Sequence, residues 1–254
     1  MALEFENLSV AYENGRVVLE GFSWRVNEGE FWNIIGPNGA GKSTIFKTFL
    51  KRTKILAGAV KINGKDVRKM DIRNIARNVA VLLQTDIVEK SMRVVDYVAL
   101  GRFVHVGPSG RLTRRDKEIV YEALRSTGTV DFKDKMLGAL SSGEMQRVRI
   151  ARVLAQESSY ILLDEPTSHL DYEHRFEIME LLERLNGRGR TIITIMHEFD
   201  LAYRYGNRTL VLNKGRIVKS GERSAVFRED LFREVFHVHL VLDGDRIYIE
   251  PLLE

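Results

Sequence analysis

Leu3, Phe5, Leu8 and Val10 alternate with polar neighbours, and Val17-Val18-Leu19 to Trp24-Arg25-Val26 continues the pattern, so the chain opens as half-buried β-strands. Asn14-Gly15 predicts the turn between them. Phe31-Trp32-Asn33-Ile34-Ile35 is apolar almost without a break, as a strand buried on both faces requires. Ile45 to Leu50 carries apolar positions suited to a helix, Ala59-Val60-Lys61-Ile62 runs into a turn at Asn63-Gly64, and Val79 to Leu83 is a short buried strand leading into Gln84.

From about Val94 to Ala155 the period becomes helical. Val94, Tyr97, Val98 and Leu100 fall at helical spacing, as do Ile119, Val120, Ala123 and Leu124 in a segment that Thr113 is placed to cap. Met145, Val148, Ala151 and Leu154 predict one apolar stripe on a third helix. The β pattern returns at Tyr160 to Asp164 and at Thr191 to Met196, separated by a helix around Glu173 to Arg184. Leu210 to Val218, turning at Asn213-Lys214-Gly215, reads as a hairpin, and Val238 to Ile249, turning at Asp243-Gly244, reads as another. Apolar strands alternating with helices predict an α/β fold whose parallel sheet is covered on both faces. With no repeat, low-complexity tract or linker, residues 1–254 read as a single domain.

Between Gly36 and Thr44 the chain reads G-P-N-G-A-G-K-S-T, directly after a buried strand and opening a helix. Gly36, Gly39 and Gly41 let the backbone turn its N–H groups inward, and the helix adds the positive end of its dipole, which together make a cradle for a polyphosphate. Lys42 is placed to reach the β- and γ-phosphates, and the Ser43 hydroxyl to ligate Mg²⁺. Asp164 and Glu165 close a later apolar strand, where they suit Mg²⁺ binding through water and activation of an attacking water, respectively. Leu140-Ser141-Ser142-Gly143-Glu144 opens a helix. Ser141 with Glu144 is a capping box, and the same segment, exposing a serine, a glycine and a helix N-terminus, is also an anion site.

The chain has no cysteine, which excludes disulfides and thiolate metal sites. No apolar run approaches the about 20 residues that span a bilayer, and the start lacks a basic region followed by an apolar one, so a soluble, unexported protein is expected. The net charge of +4 comes from basic residues spread among acidic ones, which argues for solvated faces over a nucleic-acid stripe. His237 and His239 are expected on one face of a strand, as ordinary surface rather than a metal grip.

The phosphate loop, Gln84 after a strand, Leu-Ser-Ser-Gly-Glu, Ile-Leu-Leu-Asp-Glu-Pro, Ser168-His169-Leu170-Asp171 and His197 occur in the order and approximate spacing of the ATP-binding-cassette (ABC) ATPases, which the whole chain resembles. The resemblance implies a P-loop NTPase (RecA-like) core with an N-terminal antiparallel β-subdomain, residues 1–84 and 156–254, and an inserted α-helical subdomain, residues 85–155. It implies that ATP and Mg²⁺ are bound: Gly36, Asn38, Gly39, Ala40, Gly41, Lys42, Ser43 and Thr44 cradle the nucleotide, and Tyr12 stacks on adenine. Ser43, Gln84 and Asp164 serve the metal, and Glu165, His197, Gln84 and Lys42 serve catalysis. By the same resemblance Ser141 and Gly143 reach the γ-phosphate held by a second copy of the chain, and Asp171 communicates across that dimer. Ser142 and Glu144 depart from the common Leu-Ser-Gly-Gly-Gln pattern.

Such a chain implies a peripheral ATPase on the cytoplasmic face of the inner membrane, docked on separate permease subunits through the helical insert. Val95-Asp96-Tyr97-Val98-Ala99-Leu100-Gly101-Arg102 with His105 is similar to the stretch after the glutamine loop in importers of iron-siderophore, haem and cobalamin type. That similarity implies import of a metal chelate, a ferric siderophore first, delivered by a substrate-binding protein. The alternatives are a soluble ABC ATPase acting on ribosomes or DNA and an importer of another substrate.

Overall fold

The computed structural model describes residues 1–85, 88–107, 110–244 and 246–252. The opening strands β1 (Ala2–Ala11) and β2 (Val17–Asn27) pair antiparallel through the turn at Asn14-Gly15. β3 (Phe31–Ile35), buried at every residue, leads through the phosphate loop into α1 (Lys42–Phe49). β4 (Lys54–Ile62) returns to pair with β1, and β5 (Lys65–Asp66) completes a four-stranded antiparallel sheet in the order β2-β1-β4-β5. Asp71 caps α2 (Ile72–Asn78) by accepting from the Asn74 N–H, and β6 (Val79–Leu82) follows.

The helical stretch holds α3 (Val94–Ala99), a 3₁₀ turn at Leu100–Val104, α4 (Arg114–Ser126) and α5 (Ser142–Ala155). Thr113 does cap α4, in a full capping box with Asp116. These helices bury a small core of their own that includes Val98, Leu124, Leu137 and Val148. The stripe expected on α5, Met145, Val148, Ala151 and Leu154, packs into this helical core, and the helix buries a second face besides. Val148 and Ala151 pack into the helical core, while Ile150 and Val153, on another face, pack into the core of the main sheet. The helix is a shared wall between two cores, so its burial follows no one-sided period.

β7 (Tyr160–Asp164), α6 (Tyr172–Gly187), β8 (Thr191–Ile195), α7 (Phe199–Arg204) and β9 (Arg208–Asn213) complete the alternation. The six-stranded sheet runs β10-β9-β3-β8-β7-β6, with β10 (Arg216–Glu222) antiparallel on the edge and the other neighbours parallel. The hairpin at Lys214-Gly215 thus supplies a central-sheet strand as well as an edge. One face of this sheet packs with the antiparallel sheet and α1, where Phe5, Trp24 and Trp32 form a chain of ring contacts. The other face packs with α6, α7, α8 (Arg223–Val226) and α9 (Glu229–Phe236). The second hairpin, β11 (Val238–Asp243) and β12 (Arg246–Pro251), forms as expected. His237 does not share a strand face with His239, because it sits at φ 57° as the residue that ends α9. His239 Nδ1 instead meets Glu229 Oε1 at 2.7 Å.

Candidate active site

The site lies where the carboxyl ends of the parallel strands meet the N-terminus of α1, the place where open α/β sheets bind ligands. Gly36 has no room for a side chain, since a Cβ there would meet the Leu212 carbonyl. Gly41 precedes α1 at φ 103°, a left-handed conformation that favours glycine. No acidic residue occupies the first turn of α1, so the helix N–H groups and dipole are left for an anion. Lys42 is buried, and its ammonium donates to the carbonyls of Gly36 at 2.6 Å and Pro37 at 3.1 Å. Burial lowers its pKa, against the opposing pull of Glu165 and Asp164.

Asp164 ends β7 as a buried carboxylate, only 7% exposed. Burial pushes its pKa up and the Glu165 charge adds to the rise, while donation from Ser43 Oγ at 3.2 Å works the other way. A hydroxyl oxygen beside a desolvated carboxylate suits Mg²⁺. Among the described residues no three His, Asp or Glu side chains form a metal-binding group.

Glu165 turns the chain at φ 52°, with its N–H on the Ile195 carbonyl at 3.1 Å. Its Oε2 accepts from Gln84 Nε2 at 2.7 Å, and its Oε1 lies 2.7 Å from His197 Nε2. A carboxylate only accepts, so His197 donates from Nε2. Loops after β6, β7 and β8 thereby meet on one carboxylate.

A cavity of about 300 Å³ opens between these groups, walled by Tyr12, residues 38–44, Glu165 and His197. It gathers most of the residues singled out in the sequence. Gly36, Gln84 and Asp164 join it through their bonds to Lys42, Glu165 and Ser43. Arg16, Val18 and Lys47 also line it and were not legible as site residues. The signal for Lys47 is its place three residues after Thr44, on the same side of α1. A larger cavity of about 1000 Å³ lies near Phe31, Arg204 and Phe227, away from both the phosphate loop and the acidic pair.

Ser141, Gly143 and Asp171 do not line the 300 Å³ cavity. Ser141 caps α5, and Glu144 reaches back to the Ser141 N–H at 2.8 Å, a bond that holds its carboxyl below the usual range. The carboxylate at 144 is therefore the second half of the capping box. Gly143 is not exposed, as the sequence suggested, but buried beneath the His174 ring, which leaves no room for a Cβ. His174 Nδ1 also meets Asp171 Oδ1 at 2.6 Å, and Asp171 caps α6. One histidine thus ties Asp171 to Gly143.

The stretch from Val95 to His105 is an internal brace. A Cβ on Gly101 would meet the Arg152 carbonyl. Arg102 is buried and bonds Asp116 at 3.0 Å, Glu157 at 2.9 Å and the Ala155 carbonyl at 2.7 Å, while His105 Nε2 meets the Gln156 carbonyl at 2.8 Å.

The sequence model of the ABC transporter family matches residues 19–168. The iron(3+)-hydroxamate import ATP-binding protein FhuC of Bacillus subtilis is 40% identical over 238 residues, covering 93% of this chain and 88% of its own. The ferric enterobactin transport ATP-binding protein FepC of Escherichia coli is 32% identical over 252 residues, covering 99% and 93%. Among solved structures, cbiO1 of Clostridium perfringens, part of the ABC transporter complex cbiONQ, superposes with a TM-score of 0.79 at 31% identity, over 91% of this chain and 92% of that one. The ATP-binding cassette MJ0796, in a dimeric post-hydrolysis state bound to ADP and Pi, gives 0.74 at 26% identity, over 87% and 98%.

Proposed function

The chain belongs to the ABC transporter family and is an ATP-hydrolysing subunit of such a transporter, and on that premise we propose that it powers uptake of a ferric siderophore through separate permease subunits. The observation that carries the reading is the Glu165 carboxylate held between Gln84 and His197 at the mouth of the phosphate-loop cavity. The cargo is inferred from the siderophore names of relatives that this chain matches over nearly its whole length.

In this reading Tyr12 carries the adenine, and the loop from Gly36 to Thr44 cradles the phosphates, with Lys42 turning from the loop carbonyls to the terminal phosphates. Ser43, Asp164 and Gln84 would hold Mg²⁺, which when bound would neutralise phosphate charge. Glu165 accepts a proton from the water that attacks the γ-phosphorus, and the bond from that phosphorus to the β,γ-bridging oxygen breaks, leaving ADP and inorganic phosphate. His197 orients the Glu165 carboxylate and Gln84 holds its other oxygen. Ser141 and Gly143 complete the nucleotide site of a second copy, and His174 passes the position of Asp171 to that segment.

No helix among the described residues is long and apolar enough to cross a membrane. In this reading separate permease subunits supply the pathway, residues 85–155 form the helical subdomain that docks on them, and a substrate-binding protein delivers the chelate. The subunit then sits on the cytoplasmic face of the inner membrane. ATP-dependent uptake into vesicles carrying this chain and its permease tests the proposal with labelled ferric hydroxamate, ferric catecholate, haem, cobalamin and a sugar. Ferric chelate should accumulate first; uptake of sugar alone, or export of any of them, would overturn it.

A further inference from the structure

Lys47 lines the phosphate-loop cavity from α1, and the mechanism above gives it no task. It is half-buried, and among the described residues no carboxylate pairs with it. Its ammonium lies 3.3 Å from the Tyr12 hydroxyl and 5.4 Å from the centre of that ring. The Tyr12 hydroxyl also bonds Thr44 Oγ1 at 2.9 Å, so Lys47, Tyr12 and Thr44 close one wall of the cavity together. Helical side chains lean toward their own N-terminus, which aims Lys47 back over the first turn of α1 and into the mouth of the cradle. Its charge is felt as far as Asp164, across the phosphate loop.

A cation kept in a cavity wall without a carboxylate is matched to an anionic ligand. With the terminal phosphates on Lys42 and the base on Tyr12, the phosphate that passes between Thr44 and Tyr12 is the innermost one. We propose that Lys47 is a nucleotide-binding residue whose ammonium takes the α-phosphate, with the Tyr12 hydroxyl holding it in place. This rests on the reading of the cavity as an ATP site.

The α-phosphate is common to ATP and ADP, so loss of the ammonium weakens both equally and leaves their ratio unchanged. Isothermal titration of Lys47→Ala with ADP and with a non-hydrolysable ATP analogue should show each affinity falling about tenfold. Lys47→Met, which keeps the aliphatic stem, should show the same loss, and Lys47→Arg should recover most of it, with the nucleotide-free melting temperature unchanged in all three. Affinities within about twofold of wild type in Lys47→Ala would overturn the inference. So would a loss confined to the ATP analogue, which puts the ammonium on a terminal phosphate, or an equal loss in Lys47→Arg. A wild-type chain that binds neither nucleotide overturns the ATP reading and this inference with it, whereas normal wild-type binding with an unaffected Lys47→Ala overturns the inference alone.

Discussion

His197 Nε2 stands 2.7 Å from Glu165 Oε1, and the two residues come from loops that follow adjacent parallel strands. The ring fixes the direction of the carboxylate, and the left-handed turn at Glu165 puts that carboxylate at the cavity mouth. His197→Ala leaves the phosphate cradle intact but removes one of the two bonds that orient the Glu165 carboxylate, leaving the one from Gln84. Steady-state phosphate release should fall by about a hundredfold, with ATP affinity changed little. A parallel loss of affinity and rate would place His197 in nucleotide binding instead.

Gly101→Ala should destabilise the fold without touching the nucleotide cavity. The added Cβ would meet the Arg152 carbonyl on α5, and neither backbone can yield cheaply. Overpacking of this kind costs about 2 kcal/mol. Urea unfolding checks it, and an unchanged midpoint would show that the 3₁₀ turn and α5 are free to separate.

Arg102→Ala should cost more, about 3–5 kcal/mol, because it strands the buried Asp116 carboxylate without its guanidinium. Double substitution of Arg102 and Asp116 by apolar residues of similar size should recover part of the loss. Equal instability of the single and double variants would locate the stabilisation elsewhere.

Asp116 also sets a pH dependence. Donation from the Thr113 side chain, first, and then from the Thr113 N–H and the Arg102 guanidinium, holds its carboxyl below the usual range. A depressed folded pKa adds stability that is fully present above the unfolded carboxylate value, about 4, and is lost as pH falls through the folded value. Stability measured from pH 7 downward should therefore decline more steeply below about pH 4 in wild type than in Asp116→Asn, which starts lower. Parallel curves would remove Asp116 from the acid response.

The strands of the main sheet were legible because burial on both faces demands unbroken apolar runs such as Phe31 to Ile35 and Tyr160 to Asp164. The phosphate loop was legible because its glycines answer to local geometry, as the left-handed φ of 103° at Gly41 shows. The stripe of α5 was legible, but its second buried face, Ile150 and Val153, was not, because it packs on the core of the main sheet. Gly143 reads as exposed in the sequence because the residue that covers it, His174, lies on a different helix. Lys47 does not read as a site residue in the sequence for a similar reason, since only the fold brings Tyr12, just past β1, to the side of α1.

Glu165→Gln is the most direct test of the account, with ATP binding and phosphate release followed on the same sample. The amide keeps the shape of the side chain but cannot accept a proton from water. ATP should bind with near wild-type affinity and remain unhydrolysed, trapping a closed dimer that elutes early in size-exclusion chromatography. Phosphate release at the wild-type rate would contradict the account.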